Sequence, residues 1–67
     1  MLYHLRMTGK QLKKQMENNG WLLDRISGSH HIMIKEGRRS IPIPIHGSGD
    51  LPKGLISAIL KQAGIKE

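Results

Sequence analysis

The chain has 67 residues, a formal charge of +6 from 11 Lys and Arg against five Asp and Glu, and a pI near 10.2. A chain this short makes one domain, residues 1–67, that buries only about 60% of the surface its unfolded form exposes. It has no cysteine, which excludes a disulfide framework and a cysteine-based zinc site and suits a reducing cytoplasm, where we expect the protein to reside.

Thr8-Gly9-Lys10-Gln11 fits a capping box, so a helix is predicted to start there and to run from about Gly9 to Asn18. Leu12 and Met16 recur on one face at i and i+4, while Lys10, Lys13, Lys14 and Glu17 project elsewhere, and Asn19-Gly20 supplies a left-handed stop. Trp21 to Ile26 reads as a first strand, apolar-rich and bounded by Gly20 and by Ser27-Gly28, with Trp21 expected in the core. His30 to Lys35 makes the second strand, entered through a tight polar turn, and Glu36-Gly37-Arg38-Arg39 is the hairpin loop that follows.

The third strand, Ser40 to Ile45, alternates Ile41, Ile43 and Ile45 with Pro42 and Pro44. Alternation puts the isoleucines on one face, and it puts both missing proline N–H groups on one side of the strand, which is therefore an edge. A meander with the third strand outermost follows. Asp50 is a candidate N-cap for a last helix, Pro52 is tolerated in its first turn, and Leu55, Ile56, Ile59, Leu60 and Ala63 form its apolar stripe. Gly64 ends it, with Ile65 packing back in a Schellman arrangement. The expected fold is a two-layer α+β domain of order α-β-β-β-α, a three-stranded antiparallel sheet with both helices on one face and the other face open.

His4 and Arg6 break up the N-terminus, so no signal peptide is expected, and the run Ile41 to Ile45 is far too short to span a bilayer. The charge asks for a polyanion. Nucleic acid leads, because every phosphate neutralised by Lys or Arg releases condensed counterions; plain solubility and an acidic protein partner are the other readings. Tyr3 and Trp21 are the only aromatics, too few for a platform that stacks single-stranded bases.

Reactive side chains gather only in Ile26-Ser27-Gly28-Ser29-His30-His31-Ile32, where Gly28 permits a sharp corner and two histidines enter a strand. Histidine is the side chain that exchanges protons near neutral pH. Adjacent strand residues point to opposite faces, so His30 and His31 do not readily grip one metal ion, and neither a metal nor any other cofactor is expected. His46 either approaches these histidines from the end of the neighbouring strand or caps its loop; His4 lies in the N-terminal stretch.

These residues resemble the HicA toxins of bacterial HicA–HicB toxin–antitoxin modules. The likeness rests on Gly20-Trp21, Gly28-Ser29-His30, Ile45-His46 and Leu60-Lys61-Gln62-Ala63-Gly64-Ile65, in that order over nearly the whole chain. It implies a fold like that of double-stranded-RNA-binding domains, a ribonuclease that cuts mRNA, and a HicB-like antitoxin bound over the active site. It also implies a catalytic histidine after Gly28-Ser29. Two consecutive histidines stand there, and the assignment divides: the family motif lands on His30, whereas His31 takes the open face if Ile32 and Ile34 face the core.

RNA cleavage needs a base for the 2′-hydroxyl proton and positive charge around the phosphorane. His30 or His31 supplies the first; Ser29, Arg25, Lys35, Arg38 and Arg39 are the candidates to hold RNA or stabilise charge. The alternative, from a different functional class, is a non-catalytic RNA-binding module of the same fold.

Overall fold

The computed structural model describes residues 6–47 and 49–66, so His4 and Ser48 lie outside the described residues. Helix α1 spans Gly9–Glu17 and starts at the capping box: Gln11 N–H donates to Thr8 Oγ1 at 3.1 Å, and Thr8 N–H donates to Gln11 Oε1 at 2.9 Å. Leu12 and Met16 are fully buried on its inner face, and Lys13 pairs with Glu17 at 2.8 Å on its flank. Gly20, at φ 92°, then turns the chain, with Trp21 N–H donating back to Met16 O.

Strands β1 (Leu22–Ser27), β2 (His30–Ile34) and β3 (Ile41–Pro44) form an antiparallel meander with β2 in the centre. Trp21 precedes β1 rather than opening it and is fully buried. The prolines act as the alternation requires. Pro42 and Pro44 stand opposite Ile32 and His30, and Ile45 N–H continues the ladder with a 2.8 Å bond to Ser29 O. The isoleucines thus face β2 with their donors while the prolines block the outer edge.

Helix α2 spans Lys53–Gln62 and differs from expectation at its start. Pro52, not Asp50, occupies the N-cap, and among the described residues no side chain caps the helix. Asp50 is instead drawn into a short antiparallel pairing with Thr8, where Leu51 N–H donates to Met7 O at 2.8 Å. A contact between the two helix entrances has replaced a local cap. The other end is as read: Gly64 at φ 74°, Gly64 N–H to Lys61 O at 3.1 Å and Ile65 N–H to Leu60 O at 2.9 Å make the Schellman pair.

The core gathers Met7, Leu12, Met16, Trp21, Met33, Ile41, Ile43, Ile56, Ile59, Leu60 and Ala63. Both helices therefore pack on the one sheet face that carries Met33, Ile41 and Ile43. Leu55, expected in the stripe, is 36% exposed, because the inner face of α2 centres on Ile56, Ile59 and Leu60. Ile32 and Ile34 are a second correction. Fully buried Met33 sets the phase of β2, so by alternation Ile32, Ile34 and His30 share the open face, and His31 shares the core side.

Gly9 sits where α1 touches the end of β3. A Cβ there would overlap the Pro44 carbonyl oxygen and lie 2.8 Å from Ile45 Cγ1. Helix propensity alone favours alanine over glycine by about 1 kcal/mol. We expect the opposite sign: Gly9→Ala destabilises by about 1–3 kcal/mol, as overpacking does. Urea unfolding measures it, and a Gly9→Ala protein more stable than its parent would contradict this helix–strand contact.

Candidate active site

Gly28 takes φ 60°, which reverses the chain in two residues between β1 and β2. His30 follows at once, with Ser27 opposite it on β1 and Pro44 opposite it on β3. Its backbone is thus held from both sides while its ring is exposed on the open face. Among the described residues no hydrogen bond or ion pair engages that ring. His31 is placed otherwise: it pairs with Ile26 and Ile43, is half-buried on the core side, and its Nδ1 is buried without a partner among the described residues. The two histidines cannot act on one substrate atom from opposite faces of a strand.

Two further features build the face around His30. The pairing of β1 with β2 slips between Leu23 and Arg25, leaving Asp24 as an extra, bulged residue. Without the bulge Asp24 would stand opposite Ile32; with it, Arg25 does, and Ser27 reaches His30. The slip puts a cation and a hydroxyl on the open face. Arg25 Nη1 bonds Asp24 Oδ2 at 2.6 Å, but the pair is exposed, and a guanidinium has five N–H donors. The second feature is His46, whose ring stands edge-to-face with His30 at 78°, centroids 6.4 Å apart.

Ser29 is half-buried in the turn, and its carbonyl receives Ile45 N–H. The remaining basic candidates lie elsewhere. Lys35 follows β2 at its far end, roughly 17 Å along the strand from His30 at about 3.3 Å per residue. Its Nζ donates to Asn19 O at 2.9 Å, just beyond α1. Arg38, in the hairpin, donates from Nη1 to Gln62 O at 3.1 Å, in the last turn of α2. Arg38 also packs on Gly64, where a Cβ would lie 2.6 Å from Nη2. Both cations thus meet carbonyls at helix C-termini, where the macrodipole is negative. Arg39 is exposed beside a hollow lined by Gly37, Arg38, Arg39, Ser40, Ile41 and Gln62, away from His30.

The sequence candidates therefore separate into two groups. Ser27, His30 and His46 gather at one end of the open face beside the turn that holds Ser29, with Arg25 farther along the same face opposite Ile32; Lys35, Arg38 and Arg39 occupy the other end of β2. Ser27 was missed because its facing depends on the bulge, for which Leu23-Asp24-Arg25 carries no local signal. Among the described residues, no three His, Asp or Glu side chains gather as a metal site, and no helix is long and apolar enough to cross a membrane.

A family model described as the HicA toxin of bacterial toxin–antitoxin systems matches residues 9–65. Among solved structures, a chain of a toxin–antitoxin complex from Streptococcus pneumoniae is similar at 40% identity, with 88% of this chain and 98% of that chain covered and a TM-score of 0.77. No curated protein gives a significant match.

If Lys35 and Arg38 tie the hairpin to the helix ends, each truncation should lower stability. We expect Lys35→Met and Arg38→Ala to cost about 0.3–1 kcal/mol apiece, the range for a cation at a helix C-terminus. Because the two sites sit on different helices, their effects should add in the double variant. Unchanged urea midpoints in all three proteins would show that the contacts are ornamental.

Proposed function

Because this chain belongs to the HicA toxin family of bacterial toxin–antitoxin systems, we propose that it is a metal-independent endoribonuclease that cleaves mRNA with His30 as general base. The observation that carries the reading is the state of His30. Its backbone is clamped between two strands, its imidazole is exposed, and among the described residues no hydrogen bond or ion pair engages it. A rigidly held, freely accessible imidazole is what proton abstraction requires.

The chemistry follows from the neighbours. A 2′-hydroxyl approaching the open face meets His30, which removes its proton as the oxygen attacks the adjacent phosphorus. Arg25, on the same face, donates to the non-bridging oxygens as negative charge develops. Ser27 and Ser29 offer hydroxyl donors at the turn for orientation. The product is a 2′,3′-cyclic phosphate, and DNA, which lacks the nucleophile, is spared. Arg39, with the free donors of Lys35 and Arg38, holds backbone phosphates farther along the strand, too distant to act on the reacting one. His31 then supports the site from beneath, since its ring lies on the core side.

The open face also suits a silencing partner. On this face Leu22, 66% exposed, stands opposite Ile34, 38% exposed, and the strip runs on through Arg25 opposite Ile32 to Ser27 opposite His30. An antitoxin that covers this strip with apolar side chains, and carries acidic groups against the cations, would occlude the base and release bound water together.

His30→Ala should lower RNA cleavage by at least about 10²-fold, the minimum expected on losing a general base. Its melting temperature should match the parent, because an exposed ring contributes little packing. Parent activity should survive EDTA. Equal cleavage by His30→Ala and parent would transfer the role away from His30, while binding of RNA with no scission by the parent would favour the non-catalytic module.

Binding itself is tested on His30→Ala, which holds substrate uncut. Its affinity for RNA should fall steeply between about 50 and 200 mM salt, as counterion release demands. A flat response would assign the positive charge to the protein partner alone.

A further inference from the structure

We propose that His46 is the general acid of the cleavage, protonating the departing 5′-oxygen while His30 accepts the 2′-hydroxyl proton. The proposal rests on the ribonuclease reading and adds the second proton transfer that this reaction needs. As the P–O2′ bond forms and the P–O5′ bond breaks, the bonding pair passes to the 5′-oxygen. An alkoxide is a poor leaving group in water, so a donor poised beside it removes much of the barrier.

The side chains near His30 narrow the choice of donor. Arg25 holds its proton too firmly to give it up, and serine hydroxyls are weak acids. His31 lies on the core side of the sheet with Nδ1 buried. His46 shares the open face, for along β3 and its continuation Pro44 and His46 alternate with the inward Ile43 and Ile45. It is exposed, and its ring stands edge-to-face with that of His30 at 6.4 Å between centroids, with no hydrogen bond joining the two.

The location of His46 is built into the fold. Ile45, immediately before it, bonds Ser29 O at 2.8 Å and packs against the core, where it also meets Gly9 at the start of α1. Gly47, immediately after it, takes φ 63° and turns the chain away. Thus the segment that places His46 is bonded to the turn that places His30, and the two imidazoles face one substrate position from adjacent strands.

Proton accounting closes without any co-reactant. His30 starts neutral and ends protonated; His46 starts protonated and ends neutral. The products are a 2′,3′-cyclic phosphate and a 5′-hydroxyl, and exchange with water restores both rings.

The test uses a short oligoribonucleotide with one cleavable ribonucleotide linkage, made with either oxygen or sulfur at the bridging 5′ position. A thiolate leaves without protonation, since thiols are far stronger acids than alcohols. On the oxygen substrate, His46→Ala should lose about 10²-fold or more. On the sulfur substrate it should come within about threefold of the parent, while His30→Ala stays impaired on both. His46→Gln should behave as His46→Ala, and matching melting temperatures would show that both variants are folded.

Equal impairment of His46→Ala on the two substrates would overturn the proposal in favour of a positioning role. Full activity on the oxygen substrate would overturn it too, as would sulfur rescue of His30→Ala in place of His46→Ala, which exchanges the roles. A parent protein that cuts neither substrate nor natural RNA would instead remove the ribonuclease reading, and this inference with it.

Discussion

Met33 lies without exposed surface between Leu23 and Ile41 beneath the two helices, and side chains alternate along a strand, so its burial commits His31 to the core side and His30 to the other. The central strand cannot shift by one residue without exposing Met33 and burying Ile32 in its place. Register and chemistry are therefore the same constraint. The hydrophobic term that packs a small core also selects which of two adjacent imidazoles meets solvent.

The two sheet edges serve opposite ends. On β3, Pro42 and Pro44 remove donors from the outer side, and Ile41, Ile43 and Ile45 seat the strand against β2 and the helices. Through Ile45 this edge also anchors the segment that carries His46. On β1, Leu22 and Ile26 are 66% and 57% exposed, and the ladder is broken at Asp24. A bulge twists an edge and re-aims its side chains. Here it brings Arg25 opposite Ile32 and Ser27 opposite His30, so the irregular strand equips the open face and the regular one stabilises it.

The basic charge is divided in a similar way. Lys13 pairs with Glu17 along α1, and Lys35 and Arg38 cross from the hairpin to carbonyls at the ends of α1 and α2. Those bonds close the far end of the molecule, where a loop of only a few residues would otherwise hang free of the helices. Arg25, midway along the open face, and Arg39, in the hairpin, remain exposed. A high pI therefore does not by itself mark a surface for a polyanion, because some of the cations hold the fold together.

Local chemistry in the sequence determined the elements of this protein and their order. Thr8 with Gln11 starts α1, Gly20 and Gly64 stop the helices, Gly28 and Gly37 make the turns, and the Ile/Pro alternation identifies β3 as an edge, each signal acting within a few residues. The corner at Gly28-Ser29-His30 is legible for the same reason, and the motifs carry the likeness to the family without any tertiary contact. Tertiary structure decided what local signals leave open. Ile32, Met33 and Ile34 are all apolar, so sequence cannot say which of them faces inward; the helices chose Met33. Asp50 is a good cap by composition, but pairing with Thr8 takes it elsewhere. The bulge at Asp24 and the meeting of His30 with His46 depend on strand register and on contacts between residues far apart in the chain, and only packing settles those.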